Sequence, residues 1–230
     1  MASTCLAWIV TLATAQLHAE SQLILEGSRY VREHDGDVIH FVFGTIGDHH
    51  VTLAYSEKER ISATAAFMLT YFGLETFKLF IIGGVDITSN FPHHNLRLGG
   101  CIIDVPSTDE NQFFMAERNV PPTVYVNANR LLLAVDRFMT ENPNGILIEN
   151  KGINYVTNAH TVYKHWDPEE WENLLCCGMQ LGCRLPCIVI RRLGGECVED
   201  GENFDPWFDV ACQASAVVTK GIIERLELPE

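Results

Sequence analysis

Leu6-Ala7-Trp8-Ile9-Val10-Thr11-Leu12-Ala13-Thr14-Ala15 is an apolar run followed by small residues, and it has two readings. It could be the core of a secretion signal. A signal of that kind begins with a positively charged region, yet no Lys or Arg precedes Arg29. The alternative is a buried first strand, Leu6 to Leu12, entering a helix over Thr14–Leu25 directly, and that reading is adopted here. No apolar run in the chain approaches the ~20 residues of a membrane span.

Working outward, strand and helix signals alternate. Val38–Ile46 and His50–Tyr55 read as a hairpin pair joined at Gly47-Asp48. Ser62–Phe72 has helical spacing rich in Ala and Leu. Lys78–Ile82 is a short, fully apolar strand running into a turn at Gly83-Gly84, and Arg97–Val105 is another strand. Residues 106–122 carry Pro106, Pro121 and Pro122 and read as a long surface loop. Asn127–Thr140 is an amphipathic helix, Gly145–Ile148 a strand and Pro168–Gly182 a helix. The buried strand Leu185–Ile190 and a charged loop, Gly194–Asp205, lead to a closing helix over Pro206–Leu226. This alternation, with no repeat or linker, predicts one α/β domain over residues 1–230: a three-layer α/β/α sandwich with a mixed central sheet.

The chain is 47% hydrophobic and 20% charged, an ordinary composition for a globular core. Acidic residues outnumber basic ones, 30 to 16, for a formal charge of −14. That surface repels phosphate backbones and anionic lipid heads, so neither nucleic acid nor a membrane surface is an expected partner. Eight cysteines, several inside apolar runs, read as reduced thiols of a cytoplasmic protein. Cys176, Cys177, Cys183 and Cys187 lack paired C-x2-C spacing, and no metal is expected. No P-loop, G-x-G-x-x-G or G-x-S-x-G occurs, so no cofactor and no serine nucleophile are expected. His49-His50 and His93-His94 read as solvated loop histidines.

Three segments carry a resemblance. Trp8-Ile-Val-Thr-Leu12 opens the chain. Phe80-Ile-Ile-Gly-Gly84 is followed by Leu96-Arg-Leu-Gly99. Then come Glu170-Trp171-Glu172, Leu185-Pro-Cys-Ile-Val-Ile-Arg191, and Pro206-Trp-Phe with an Ala/Ser-rich helix. In this order, over nearly the whole chain, they resemble the nucleoside phosphorylase and nucleosidase superfamily, especially its fungal nucleosidase-like branch. The resemblance implies homo-oligomers and a small-molecule substrate. It places the pocket at Tyr55, Gly83, Gly84, Val85, Ile153, Asn154, Trp171, Gly194 and Gly195, with Glu172 binding the ribose hydroxyls.

Several departures from the family pattern bear on chemistry. Gly195 stands where the resemblance implies the aspartate that protonates the purine, with Glu196 adjacent. Ala15 or Gln16 falls where it implies a water-activating carboxylate, and Ile81 where it implies a phosphate-binding arginine. Glu57-Lys-Glu-Arg60 replaces the glycine-rich turn after Ser56. Conversely, Asp86 adds a carboxylate at a strand's carboxyl end, where α/β sheets bind ligands. Glu172, Asp86 and Glu196 are therefore the catalytic candidates. For Glu172 the bland alternative is a carboxylate favoured by the first turn of a helix, and for Asp86 an Asx-type turn residue. Trp171, where the family has methionine, suits an apolar ligand or plain helix packing. Arg191 is expected to form a structural ion pair at a strand end. These departures imply a repurposed enzyme acting on an apolar non-nucleoside, an isomerase or cyclase. Intramolecular Diels–Alder chemistry is one such reaction, for which substrate folding and one hydrogen-bond donor suffice. The alternatives are purine-nucleoside cleavage, with Glu196 or Asp200 as the acid, and a non-catalytic binding or storage protein.

Overall fold

The computed structural model describes residues 5–10, 13–34, 36–57, 64, 67–68, 71–73, 76–86, 101–106, 122–150, 153–157, 159–164, 187–193 and 206–228. The apolar opening is a strand, β1 (Cys5–Val10), and it lies in mid-sheet with Leu6 to Val10 at most 3% exposed. Helix α1 (Ala13–Glu20) follows, and β2 (Ile24–His34), β3 (Asp37–Ile46) and β4 (His49–Ser56) form an antiparallel meander. The β3–β4 turn falls at Gly47, whose φ of 56° is a left-handed conformation that glycine adopts without a Cβ penalty.

Next come β5 (Phe77–Asp86), β6 (Cys101–Pro106), α2 (Pro122–Glu141), β7 (Ile146–Asn150), β8 (Ile153–Thr157), β9 (Ala159–Lys164), β10 (Cys187–Leu193) and α3 (Pro206–Ile223). The main sheet runs β2-β3-β4-β1-β5-β10-β6-β9. β4, β1, β5 and β10 are mutually parallel, and β10 meets β6 antiparallel, so the sheet is mixed. β7 and β8 form a separate hairpin.

Alternation along β1 divides the core. Leu6, Trp8 and Val10 join Ala15 and Ala19 of α1, Phe138 of α2 and Cys212, Ala216 and Ile222 of α3 in one cluster. Ala7 and Ile9 turn the other way, towards Ile39, Phe41, Met68, Phe77 and Phe80. Thr64, Phe67, Met68, Tyr71 and Phe72 are helical, so helix covers both faces of the sheet. α3 is buried on most sides, as Ala214, Ser215, Ala216, Val218 and Thr219 each expose 3% or less. Such a helix belongs to the middle of a core.

Some expectations need correcting. The first helix stops at Glu20, and Leu25 already lies in β2. Gly83-Gly84 is not a turn, because β5 continues in register with β10 through Asp86. β2, β8 and β9 were not expected. His49 and His50 are strand rather than loop residues: they open β4, where His49 Nε2 lies 2.7 Å from the Leu226 carbonyl oxygen and the half-exposed His50 has Nδ1 2.9 Å from Glu26. Cys5, Cys101 and Cys212 are thiols and not halves of disulfides. The expected strand residues 97–100, the loop 107–121 and the helix 168–182 lie outside the described residues.

Candidate functional site

Four parallel strands end side by side. Val10 of β1 is opposite Tyr55 of β4 and Gly83 of β5, and Gly83 is opposite Ile190 of β10. β5 and β10 then run three residues further, pairing Gly84 with Arg191, Val85 with Arg192 and Asp86 with Leu193. Tyr55, Gly83, Gly84, Val85 and Asp86 are thus gathered at one carboxyl edge of the sheet, where open α/β folds hold their ligands. Gly194, Gly195 and Glu196 follow Leu193 directly in the chain and lie outside the described residues, as do Trp171, Glu172, His93, His94 and Asp200. Ile153 and Asn154 are not on this edge. They open β8, opposite Asn150 and Glu149, in the hairpin that α3 holds through the Gln213 amide donating to the Glu149 carbonyl at 3.0 Å.

At the first turn, Ala15 is buried at 3% exposure and Gln16 at 8%. The Gln16 amide donates to Glu20 Oε1, and Glu20 Oε2 accepts from Arg29 at 2.9 Å. Glu20 is therefore a buried carboxylate whose oxygens are both occupied, one by an amide and one by a guanidinium. Tyr55 sits beside this group with its ring stacked on His40, centroids 4.4 Å apart, while His40 Nε2 lies 2.9 Å from Glu57. Burial, with Glu20 and then Glu57 nearby, pushes the Tyr55 phenol above its ordinary value, and Arg29 and the Gln16 side chain oppose the shift. Tyr55 is accordingly a neutral hydroxyl, a donor rather than a base.

Below the edge, Trp8, Val10, Ala15, Ala19, Gly83 and Ala216 close around a gap too narrow for a water molecule. The Trp8 indole N–H is buried there with no hydrogen-bond partner among the described residues. Gly83 allows this, because a Cβ in its place would lie 2.7 Å from Trp8 Nε1. Ile81, at the expected phosphate position, is fully buried. The described floor therefore offers apolar surface and a phenol, and no uncommitted carboxylate at the first turn. Trp8, Gln16, Glu20 and His40 were not among the expected site residues. Their roles arise from contacts across strands and between helix and strand, which spacing along the chain does not carry.

This mixed sheet, with helix on both faces and its parallel strands ending side by side, defines a nucleosidase-like α/β fold. Solved structures agree. 5'-Methylthioadenosine/S-adenosylhomocysteine nucleosidase from Helicobacter pylori matches with a TM-score of 0.56 at 12% identity, over 97% of this chain and 99% of that one. The Campylobacter jejuni enzyme of the same name matches at 0.57 and 15%, over 97% and 100%. Futalosine hydrolase from Helicobacter pylori matches at 0.58 and 13%, over 97% and 98%. These neighbours are members of the nucleoside phosphorylase and nucleosidase superfamily, and the chain has their fold. No family model matches the sequence, and no curated protein is significantly similar to it. Among the described residues no helix is long and apolar enough to cross a membrane.

Proposed function

We propose that this chain is an enzyme on a nucleosidase scaffold that acts on an apolar, non-nucleoside small molecule, as an isomerase or cyclase. The observation that carries the reading is the first turn. Where the nucleosidase resemblance implies a water-activating carboxylate stands buried Ala15, and the amide of Gln16 is tied to Glu20. A hydrolase needs a base to activate water, typically a gain of ~10²–10⁴-fold. A cyclisation, including an intramolecular Diels–Alder closure, needs the substrate folded into a reactive conformer and one donor to polarise it. Tyr55 supplies a neutral hydroxyl at the strand edge. Asp86 and Glu172, if buried near one another, would each favour the protonated, donating form. Trp171 is the proposed aromatic wall, with Gly194 and Gly195 closing the edge. No cofactor enters the reaction. The enzyme is proposed to be cytoplasmic and homo-oligomeric.

A second reading, N-glycosidic cleavage of a purine nucleoside, draws support from the named activities of the structural neighbours. It requires Glu196 or Asp200 to serve as the acid. A non-catalytic binding or storage protein is the third. Ligand-dependent melting read together with turnover separates the three, since a ligand that binds only the folded state raises Tm whether or not it is converted. Apolar polyenes are expected to raise Tm and purine nucleosides to leave it unchanged. The reverse pattern supports cleavage, and a polyene shift without turnover supports storage.

A further inference from the structure

Gln16 and Glu20 stand one turn apart on α1, and both are buried, at 8% and 7% exposure. Arg29 reaches Glu20 Oε2 from β2 at 2.9 Å, and the Gln16 amide donates to Glu20 Oε1. A carboxylate only accepts hydrogen bonds, so the end of Gln16 turned towards Glu20 is its NH2 group. One N–H of that group serves Glu20, which leaves the other to be aimed elsewhere.

Its target is Tyr55. Burial pushes the phenol up, then Glu20 and Glu57 do so by their charge, while Arg29 and a hydrogen bond with the Gln16 side chain pull it down. A hydrogen bond that lowers a phenol is one given to its oxygen, because donation favours the charged form. Gln16 is therefore the donor and the Tyr55 oxygen the acceptor.

The phenol carries a single proton of its own. With its oxygen accepting from Gln16, that proton is turned away from α1. The ring is held in place by His40, stacked on it at 4.4 Å and 8° between planes, and His40 Nε2 lies 2.9 Å from Glu57. Register sets Tyr55 beside Val10, and Val10 beside Gly83, on the carboxyl edge of the sheet.

We propose that Glu20 is a positioning residue: it orients Gln16 so that the Tyr55 proton is presented to an acceptor on a ligand at this edge. Glu20 touches no ligand and acts only through the Gln16 amide, with Arg29 as its anchor. The use made of the proton rests on the reaction proposed above, whereas the relay from Glu20 to Tyr55 does not. A Glu20 that merely tied α1 to β2 would influence the phenol by its charge alone.

Fluorine NMR of protein labelled with 3-fluorotyrosine tests the relay without any substrate. It resolves the six tyrosines, and Tyr55→Phe assigns the signal of interest. Gln16→Leu is expected to raise the Tyr55 titration midpoint, because the donor to the phenolate is gone. Glu20→Gln and Glu20→Leu both remove the charge, but only the glutamine keeps an oxygen to hold the Gln16 amide. The rise caused by Gln16→Leu should thus be as large in Glu20→Gln as in wild type, and should vanish in Glu20→Leu, since residues acting as a unit are not additive. Circular dichroism checks that each variant is folded, and the Glu20→Gln comparison stands even where Glu20→Leu is not. No rise in Gln16→Leu, a rise lost in Glu20→Gln, or one undiminished in a folded Glu20→Leu would overturn the proposal. Failure of the reaction reading shows instead in melting and turnover, and leaves these titrations as they are.

Discussion

The Trp8 indole lies under the ligand edge because Gly83 leaves it room. Gly83→Ala would bring a methyl group to 2.7 Å from Trp8 Nε1 in the middle of the sheet. Overpacking of that kind costs about 1–3 kcal/mol. A lower urea midpoint is expected for Gly83→Ala, and the loss should shrink in Trp8→Phe/Gly83→Ala, because residues in contact are not additive. Equal losses in both backgrounds would refute this account of the glycine. Tyr55 carries a pH signature. Its phenol is held above the ordinary value chiefly by burial, then by Glu20 and Glu57. Between the unfolded and the raised folded value the native state binds more protons, so stability falls as pH rises through that window. The contribution is complete below the ordinary phenol range and lost above the folded value. Alkaline unfolding of Tyr55→Phe should therefore fall less steeply with pH than that of wild type. The position of Tyr55 near the end of its strand was legible in the sequence, because apolar runs ending in polar residues mark those ends, whereas the end of β5 lies at Asp86, past the glycines that read as ending it. The partners of Tyr55 were not legible: His40 is fifteen residues away on β3, and Glu20 is on a helix.

At the scale of elements, α2 and α3 meet at Gly221 and Phe138. A Cβ at Gly221 would sit 2.4 Å from Phe138 Cε2. Alanine is the better helix former by about 1 kcal/mol, so propensity alone predicts that Gly221→Ala stabilises. Packing predicts the opposite, by about 1–3 kcal/mol. We expect a lower Tm for Gly221→Ala, and a rise would show that the helices can separate at no net cost. The same contest between local and tertiary terms explains what the sequence disclosed. β1, β3, β4 and β10 are apolar or cleanly alternating and were readable. β2 was hidden because its register with β3 shifts between Leu25 and Arg29, across Glu26-Gly27-Ser28, and the break destroys the alternation. β5 was read as ending at Gly83-Gly84, since glycine usually punctuates a strand. Here it continues because Gly83 answers a tryptophan on the neighbouring strand.

Across the whole molecule, the fold is that of enzymes named for nucleoside hydrolysis, while the described part of the ligand edge lacks a carboxylate where such chemistry begins. The order of landmarks along the chain made the fold legible. The reaction was less so, because it depends on Glu172, Glu196 and their surroundings rather than on the sheet. The measurement that tests the central claim most directly is release of free base from a panel of purine nucleosides, with and without phosphate, for wild type and Glu172→Ala. The account predicts no release above background from either protein under either condition. Release by wild type that disappears in Glu172→Ala would contradict it and establish N-glycosidic cleavage as the function.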